Sequence, residues 1–341
     1  MRRWILVSVC FAVGLWAQQA KQNDTYYTFD ANGRPVGGRS VSTVVGKGAK
    51  ARTEHVMSVN GRQVPVDSVV EKVIESGPRR KIVERTIQHY DQNGNPTQSE
   101  KVRVEERIDA GGRRTTTTTV SAVDLNGRYQ VRERRKEQLK TSSDGKKTDA
   151  TIVVERPSVN GGLRLAERRV VNEVLRPNGA KRDEMIYRPD QGGTLRQAAR
   201  EITDTVVRGS KETRTKTVYN TANADRRMEL SGQTVTDIEK KPDGSEVKVI
   251  NEYGGAPPGR SIASDARTPQ LREQLIVERK VRPDGSVVEV TGVRRTSLSD
   301  PNKLGAYQPV SQMVCTGNCI PAKPAADSKK AAQPAKKDQQ P

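Results

Sequence analysis

Aromatic side chains make up only 4% of this 341-residue sequence, and histidine occurs twice, at His55 and His89. Both tryptophans, Trp4 and Trp16, fall within the first sixteen residues. The hydrophobic share is 33%, well under the roughly 45–50% of an ordinary globular domain when glycine is included. A chain of this length would normally fill two sizeable cores; this one lacks the Leu, Phe and Trp to do so, and any core must be thin. The familiar catalytic spellings are missing as well. No Gly-x-Ser-x-Gly elbow, His-Glu-x-x-His zinc pair or phosphate-cradling Gly-x-x-x-x-Gly-Lys-Ser/Thr occurs. Gly46-Lys47-Gly48 has the wrong spacing for a phosphate loop, and no helix-forming stretch follows it. Paired carboxylates for sugar cleavage are not ruled out by composition, but the aromatic platforms that accompany them are scarce. The expectation is a protein that is not an enzyme, with no cofactor and no metal site.

What is present begins with an address. Met1-Arg2-Arg3 precedes an apolar stretch from Trp4 to Trp16 and then Ala17, the charged, apolar, small-residue order of a signal peptide. The apolar run is shorter than the roughly 20 residues of a membrane span. Cleavage after Ala17 or Ala20 fits, and residues 1–20 are read as the leader. Cys10 sits inside the apolar run rather than after it, which argues against lipid attachment. No later segment approaches a span, so the mature chain is expected to be exported: periplasmic, cell-surface or extracellular.

The formal charge is +19, and losing Arg2 and Arg3 with the leader brings it to +17. Such an excess attracts anionic partners. Outside the cytoplasm these are polysaccharide, lipid headgroups or cell-wall polymers, while export removes most of the opportunity to meet nucleic acid. Candidate contacts are Arg132, Arg134, Arg135 and Lys136, then Arg168 and Arg169, and the tail lysines Lys329, Lys330, Lys336 and Lys337.

Turn signals carry most of the structural information. Asn32-Gly33, Gly46-Lys47-Gly48, Asn60-Gly61, Ser76-Gly77, Asn93-Gly94, Gly111-Gly112, Asn126-Gly127, Asp144-Gly145 and their successors to Arg208-Gly209 recur 13 to 18 residues apart. Asp243-Gly244, Gly254-Gly255 and Asp284-Gly285 continue the theme more loosely. Such pairs suit the two-residue hairpin turns of the primed types. Between them lie Val-, Thr-, Ile- and Arg-rich stretches, including Thr115 to Val120 and Ser286 to Val290, whose β-branched residues favour strands. Val102 and Val104 alternate with Lys101, Arg103 and Glu105, as in a strand with one drier face. Leu195 to Val206 and Leu271 to Val281 have some helical spacing, yet they sit beside regular turn signals and are read as strands. Val83-Glu84-Arg85, Val154-Glu155-Arg156 and Val277-Glu278-Arg279 repeat one tripeptide, which suits cross-strand ion pairs in an internally repeated sheet.

Tyr27-Thr28-Phe29-Asp30-Ala31-Asn32-Gly33-Arg34 and His89-Tyr90-Asp91-Gln92-Asn93-Gly94-Asn95 resemble the aromatic-Asp-x-x-Gly-Arg unit of YD (Rhs-type) repeat proteins. Val123 to Arg128 is a degenerate third copy. The resemblance covers three short stretches and implies repeated β-hairpins on secreted or cell-surface proteins.

From about Gln312 the composition changes. Cys315-Thr316-Gly317-Asn318-Cys319 leads into a Pro-, Ala- and Lys-rich tail that buries too little to order itself. In an oxidising compartment a small-loop disulfide between Cys315 and Cys319 is the natural reading, with free or intermolecular thiols the alternative. Asn23-Asp24-Thr25 fits a glycosylation sequon, which matters only in a host with that machinery.

The fold expected is all-β: an elongated antiparallel meander of repeated hairpins over residues 21–311, with a thin core, followed by the Cys turn and disordered tail of residues 312–341. Its open edges invite self-association. The role expected is structural or interaction, non-catalytic, in the cell envelope or extracellular space. One alternative is a basic module for anionic envelope polymers. Another is an outer-membrane barrel, which suits even hairpins with strands near ten residues. The charges crowding Arg132 to Lys136 oppose it, because a barrel needs an apolar outward band and aromatic girdles.

Overall fold

A computed structural model describes residues 21–30, 33–44, 50–59, 62–221, 228–254, 270–296, 303–317 and 319. Residues 1–20, the expected leader, and the four candidate lysines of the tail lie outside the described residues. Every described element is a strand. In chain order they are β1 (Lys21–Phe29), β2 (Pro35–Val44), β3 (Lys50–Val59), β4 (Arg62–Ser76), β5 (Arg80–Tyr90), β6 (Pro96–Ile108), β7 (Arg114–Val123), β8 (Tyr129–Thr141) and β9 (Lys147–Pro157). The second half comprises β10 (Leu163–Arg176), β11 (Gly179–Pro189), β12 (Leu195–Arg208), β13 (Lys211–Thr221), β14 (Met228–Lys240), β15 (Glu246–Gly254), β16 (Gln270–Val281), β17 (Val287–Arg295) and β18 (Gln308–Gly317). The stretches with helical spacing, Leu195 to Val206 and Leu271 to Val281, are strands β12 and β16.

Each strand pairs antiparallel with the next along the chain, and the pattern continues through the second half. β2 and β3 also lie side by side. The last strand then returns to the first: β18 pairs with β1 over seven positions, among them Asp24 opposite Cys315 and Tyr26 opposite Met313. The meander therefore closes into an 18-stranded barrel. Closure corrects two expectations. The open edges foreseen for self-association are paired with each other, and full closure removes the edge-strand liability. The sheet also runs past residue 311 to Gly317, because β18 is held on both sides by β17 and β1.

The turns are wider than the two-residue primed type the Asn-Gly pairs suggested. Among described residues, two-residue connections join β10 to β11 and β12 to β13. Elsewhere a five-residue turn recurs, built around its first residue. Asp91 donates its amide to the Asn95 carbonyl at 2.9 Å, and Gly94 donates back to the Asp91 carbonyl at 3.0 Å. The Asp91 carboxylate then accepts from the amides of Asn93 (2.8 Å) and Asn95 (2.9 Å). Asp109, Asp124 and Asp190 repeat this pattern. Only the glycine takes positive φ, +85° at Gly94, so the preceding Asn is free to stay right-handed and the carboxylate caps the loop amides.

Residues opposite one another in the register share a face, and neighbours along a strand alternate. Following the pairings around the barrel separates two faces. One carries Val83, Val171, Ile152, Val154, Ile186 and Val287, all buried. Of the buried strand side chains only Ser68, Ile82 and Val288 lie on the other face. Side chains on the concave side of a closed sheet converge, so the crowded face is the inner one. The core is thin, as composition implied. One contiguous buried cluster joins Ala150, Ile152, Val154 and Val171, and strands make sustained contact with their ring neighbours only.

Candidate interaction surfaces

The wall is laced with ion pairs on both faces. On the inner face a chain of charges runs across β10 and β11. Glu167 contacts Arg188 at 3.0 Å and Arg169 at 2.5 Å. Arg169 reaches Glu184 at 3.0 Å, and Glu184 reaches Arg182 at 2.9 Å. Burial pushes the Glu184 carboxyl up, but Arg182 and Arg169 outweigh it and hold the group below its ordinary value. Glu167 behaves alike between Arg169 and Arg188. Glu71 with Arg85 (2.6 Å) and Glu201 with Lys216 (2.7 Å) are further inner-face pairs. On the outer face Arg134 meets Glu155 at 2.6 Å, Arg80 meets Glu105 at 3.1 Å, and Lys101 meets Glu84 at 3.4 Å. The repeated Val-Glu-Arg tripeptides thus feed cross-strand pairs at Glu84, Arg85, Glu155 and Arg156.

The candidate basic residues do not form one patch. Lys136 and Arg168 both stand opposite Val153, one on either side of β9, and both are exposed on the outer face near Arg134. Arg135 and Arg169 point inward, where Glu137 holds the first and Glu167 and Glu184 hold the second. Arg132 is exposed at a bulge in β8. Alternation alone would have split Arg134 from Arg135; the bulge then shifts the register between Val131 and Glu133, which no local signal announces.

Cys315 and Cys319 are joined, with an S–S distance of 2.08 Å, at the end of β18. His55 Nδ1 lies 2.5 Å from Asp67 Oδ1, while His89 stands opposite Asp67 on β5. Among the described residues no group of three or more His, Cys, Asp or Glu gathers as a metal would need; open depressions lie beside Asp124 and beside Met228.

The two rims differ. One holds both ends of the sheet, Lys21 and Gly317, and short connections of two to five residues. The opposite rim holds the odd-to-even turns, of which 91–95, 124–128, 158–162 and 190–194 are described throughout. Sequence reading missed what gathers at that second rim. Seven of the eight tyrosines lie there on the outer face: Tyr27, Tyr90, Tyr129, Tyr187, Tyr219, Tyr253 and Tyr307. Each is within three residues of its strand's end or, for Tyr307, immediately before β18. A signal existed: every one precedes an odd-to-even turn or follows it.

No family model matches the sequence, and no curated protein matches it. The fold does match. The chain is similar to the crystal structure of a BenF-like porin from Pseudomonas fluorescens Pf-5, with a TM-score of 0.50 and 6% identity. The likeness covers 88% of this chain and 98% of the porin. The fold is porin-like. At this identity the match speaks for the barrel alone, and it agrees with the closure read independently from the β1–β18 pairing.

Proposed function

We propose that this chain is an exported, non-catalytic β-barrel of the cell envelope, acting through its surface as a structural or interaction component. The observation that carries the reading is a closed, even-stranded barrel with charge-paired walls, both sheet ends at one rim. The leader-like N-terminus supports export, and the porin-like fold supports an envelope setting.

The barrel differs from a lipid-spanning one in its outer face. Arg103, Arg134, Lys136 and Arg168 lie away from the strand ends on that face. Basic residues at a bilayer midplane cost about 2–4 kcal/mol each, and several together exceed the stability of an ordinary domain. The wall is therefore read as water-facing at mid-height. Anionic envelope polymers suit the Lys136–Arg168 row, which gives the exported barrel a second mode of retention.

Fractionation of cells carrying the tagged full-length chain, with the envelope washed in rising salt, tests the reading. Recovery with the envelope and release by salt supports it. Recovery in the cytoplasm overturns export, and extraction by detergent alone would make the barrel a spanning one.

A further inference from the structure

We infer that the tyrosine-bearing rim is a lipid-docking edge, which seats the barrel end-on in the interfacial layer of an anionic membrane without spanning it. The proposal deepens the envelope reading by naming the partner of one surface.

The tyrosines encircle the rim, contributed by β1, β5, β8, β11, β13 and β15 and by the segment before β18. They are half-buried or exposed. Several have their polar tip engaged along the wall: Tyr129 Oη lies 2.8 Å from Ser99 Oγ, and the Lys101 ammonium stands 5.1 Å from the Tyr129 ring centre. Tyr307 lies flat over Gly292, where a β-carbon would come within 2.1 Å of its ring. Phe29, Leu163, Leu195, Leu230 and Leu271 share the outer face at the same rim. Beyond the strand ends, Leu125 and Val159 stand fully exposed at turn tips, at 105% and 98%. Rings with an apolar body and a wet tip favour the headgroup boundary.

Depth and charge decide between docking and spanning. The band is about three residues deep, about 10 Å along a strand, whereas a spanning barrel has an apolar band about 25 Å tall. It matches the roughly 5–10 Å insertion of interfacial elements. Arg34 and Arg128 are exposed beside it, and Arg164, Arg188 and Arg196 are exposed at the same rim on the inner face, on a chain of net charge +19. That complement selects anionic headgroups. The opposite rim has half-exposed Ile74, Val174, Leu175 and Val207 but no tyrosine and no exposed aliphatic at a described turn tip.

Single-tryptophan reporters test this, since the only natural tryptophans, Trp4 and Trp16, belong to the leader. The exported chain carrying Leu125→Trp, Val159→Trp or Val207→Trp is mixed with vesicles of phosphatidylcholine, with or without phosphatidylglycerol and brominated lipid. Blue-shifted, bromine-quenched emission is expected at positions 125 and 159 on anionic vesicles, and unchanged emission at 207. Leu125→Asp with Val159→Asp should weaken vesicle partitioning about tenfold or more while circular dichroism stays unchanged. Equal quenching at position 207, binding without quenching at 125 and 159, or equal binding to neutral vesicles overturns the proposal. These readouts use purified protein, so they stand apart from cell fractionation, whose failure would remove the envelope reading alone.

Discussion

The two rims of the barrel are built from the same repeating hairpin, yet their outer faces diverge. At the rim that holds the sheet's ends, the outer face carries Lys140, Lys181, Arg208, Lys211 and Lys280. At the other it carries the tyrosines and leucines. Both rims turn the chain with αL glycines, so turn chemistry does not distinguish them. Side-chain choice within three residues of the strand ends does. One rim is finished for water and the other for a boundary between water and something less polar.

Glycines at the two rims offer the strongest break. Gly179, beside a two-residue turn of the charged rim, has φ of +148°, and a β-carbon there would lie 1.8 Å from the Thr205 carbonyl oxygen. Backbone cannot swing aside, so Gly179→Ala combines a disfavoured conformation with a clash and should cost about 3 kcal/mol or more. Gly292, at the tyrosine rim, is crowded by the Tyr307 ring instead. A side chain can leave, so Gly292→Ala should cost only about 1 kcal/mol and displace the ring. Urea midpoints of the two variants measure the difference; equal losses would mean that Tyr307 is held as firmly as backbone.

Inner and outer walls separate next. Glu184 is buried between two arginines, and Glu184→Ala removes one of the acidic partners of each, leaving Arg169 to Glu167 and Arg182 to Glu173, at a cost of about 1–3 kcal/mol. Glu155, partner of Arg134 on the outer face, is more open, and Glu155→Ala should cost about 0–1 kcal/mol. The pH dependence follows the same division. Glu184 and Glu167 have folded pKa values below their unfolded ones, so their stabilisation is present above the unfolded carboxylate range and lost as pH falls through the folded values. Thermal midpoints should therefore fall on acidification below about pH 4–5, and Glu184→Gln should flatten that fall. A midpoint insensitive to acid in the parent chain would count against the inner charge network.

Strand positions were legible because turn glycines recur and because Val, Thr and Ile fill the spaces between. The drier face at Val102 and Val104 was legible too, from alternation. Closure was not. It rests on Asp24 meeting Cys315 and Tyr26 meeting Met313, contacts between the two ends of the chain that no local pattern encodes. Nor was the wider Asp-capped turn anticipated, since Asn-Gly read alone names the glycine and not the carboxylate two residues before the Asn. The basic candidates were chosen for local charge density, which ignores alternation, so Arg134 and Arg135 were grouped although they face opposite ways. The tyrosine rim escaped notice because eight tyrosines spread over the chain look sparse. They converge only when each is placed by the direction of its strand.

The finest test asks what an individual rim tyrosine contributes. Tyr129 holds Ser99 through its hydroxyl and Lys101 through its ring face, both from β6, two strands away. Tyr129→Phe removes the first contact and keeps the second; at so exposed a site the loss should be about 0.5–1 kcal/mol or less. Tyr129→Leu removes both and should cost about 0.5–1 kcal/mol more, the value of an exposed cation–π contact. Pairing each with Lys101→Met in a double-mutant cycle isolates the ring term. Coupling between Tyr129→Leu and Lys101→Met, with none between Tyr129→Phe and Lys101→Met, would show that the ring braces the wall as well as furnishing the rim. Zero coupling in both would leave the ring with no part in bracing the wall, only the hydroxyl's contact with Ser99 remaining, and the ring's place at the rim would then answer to what the rim meets.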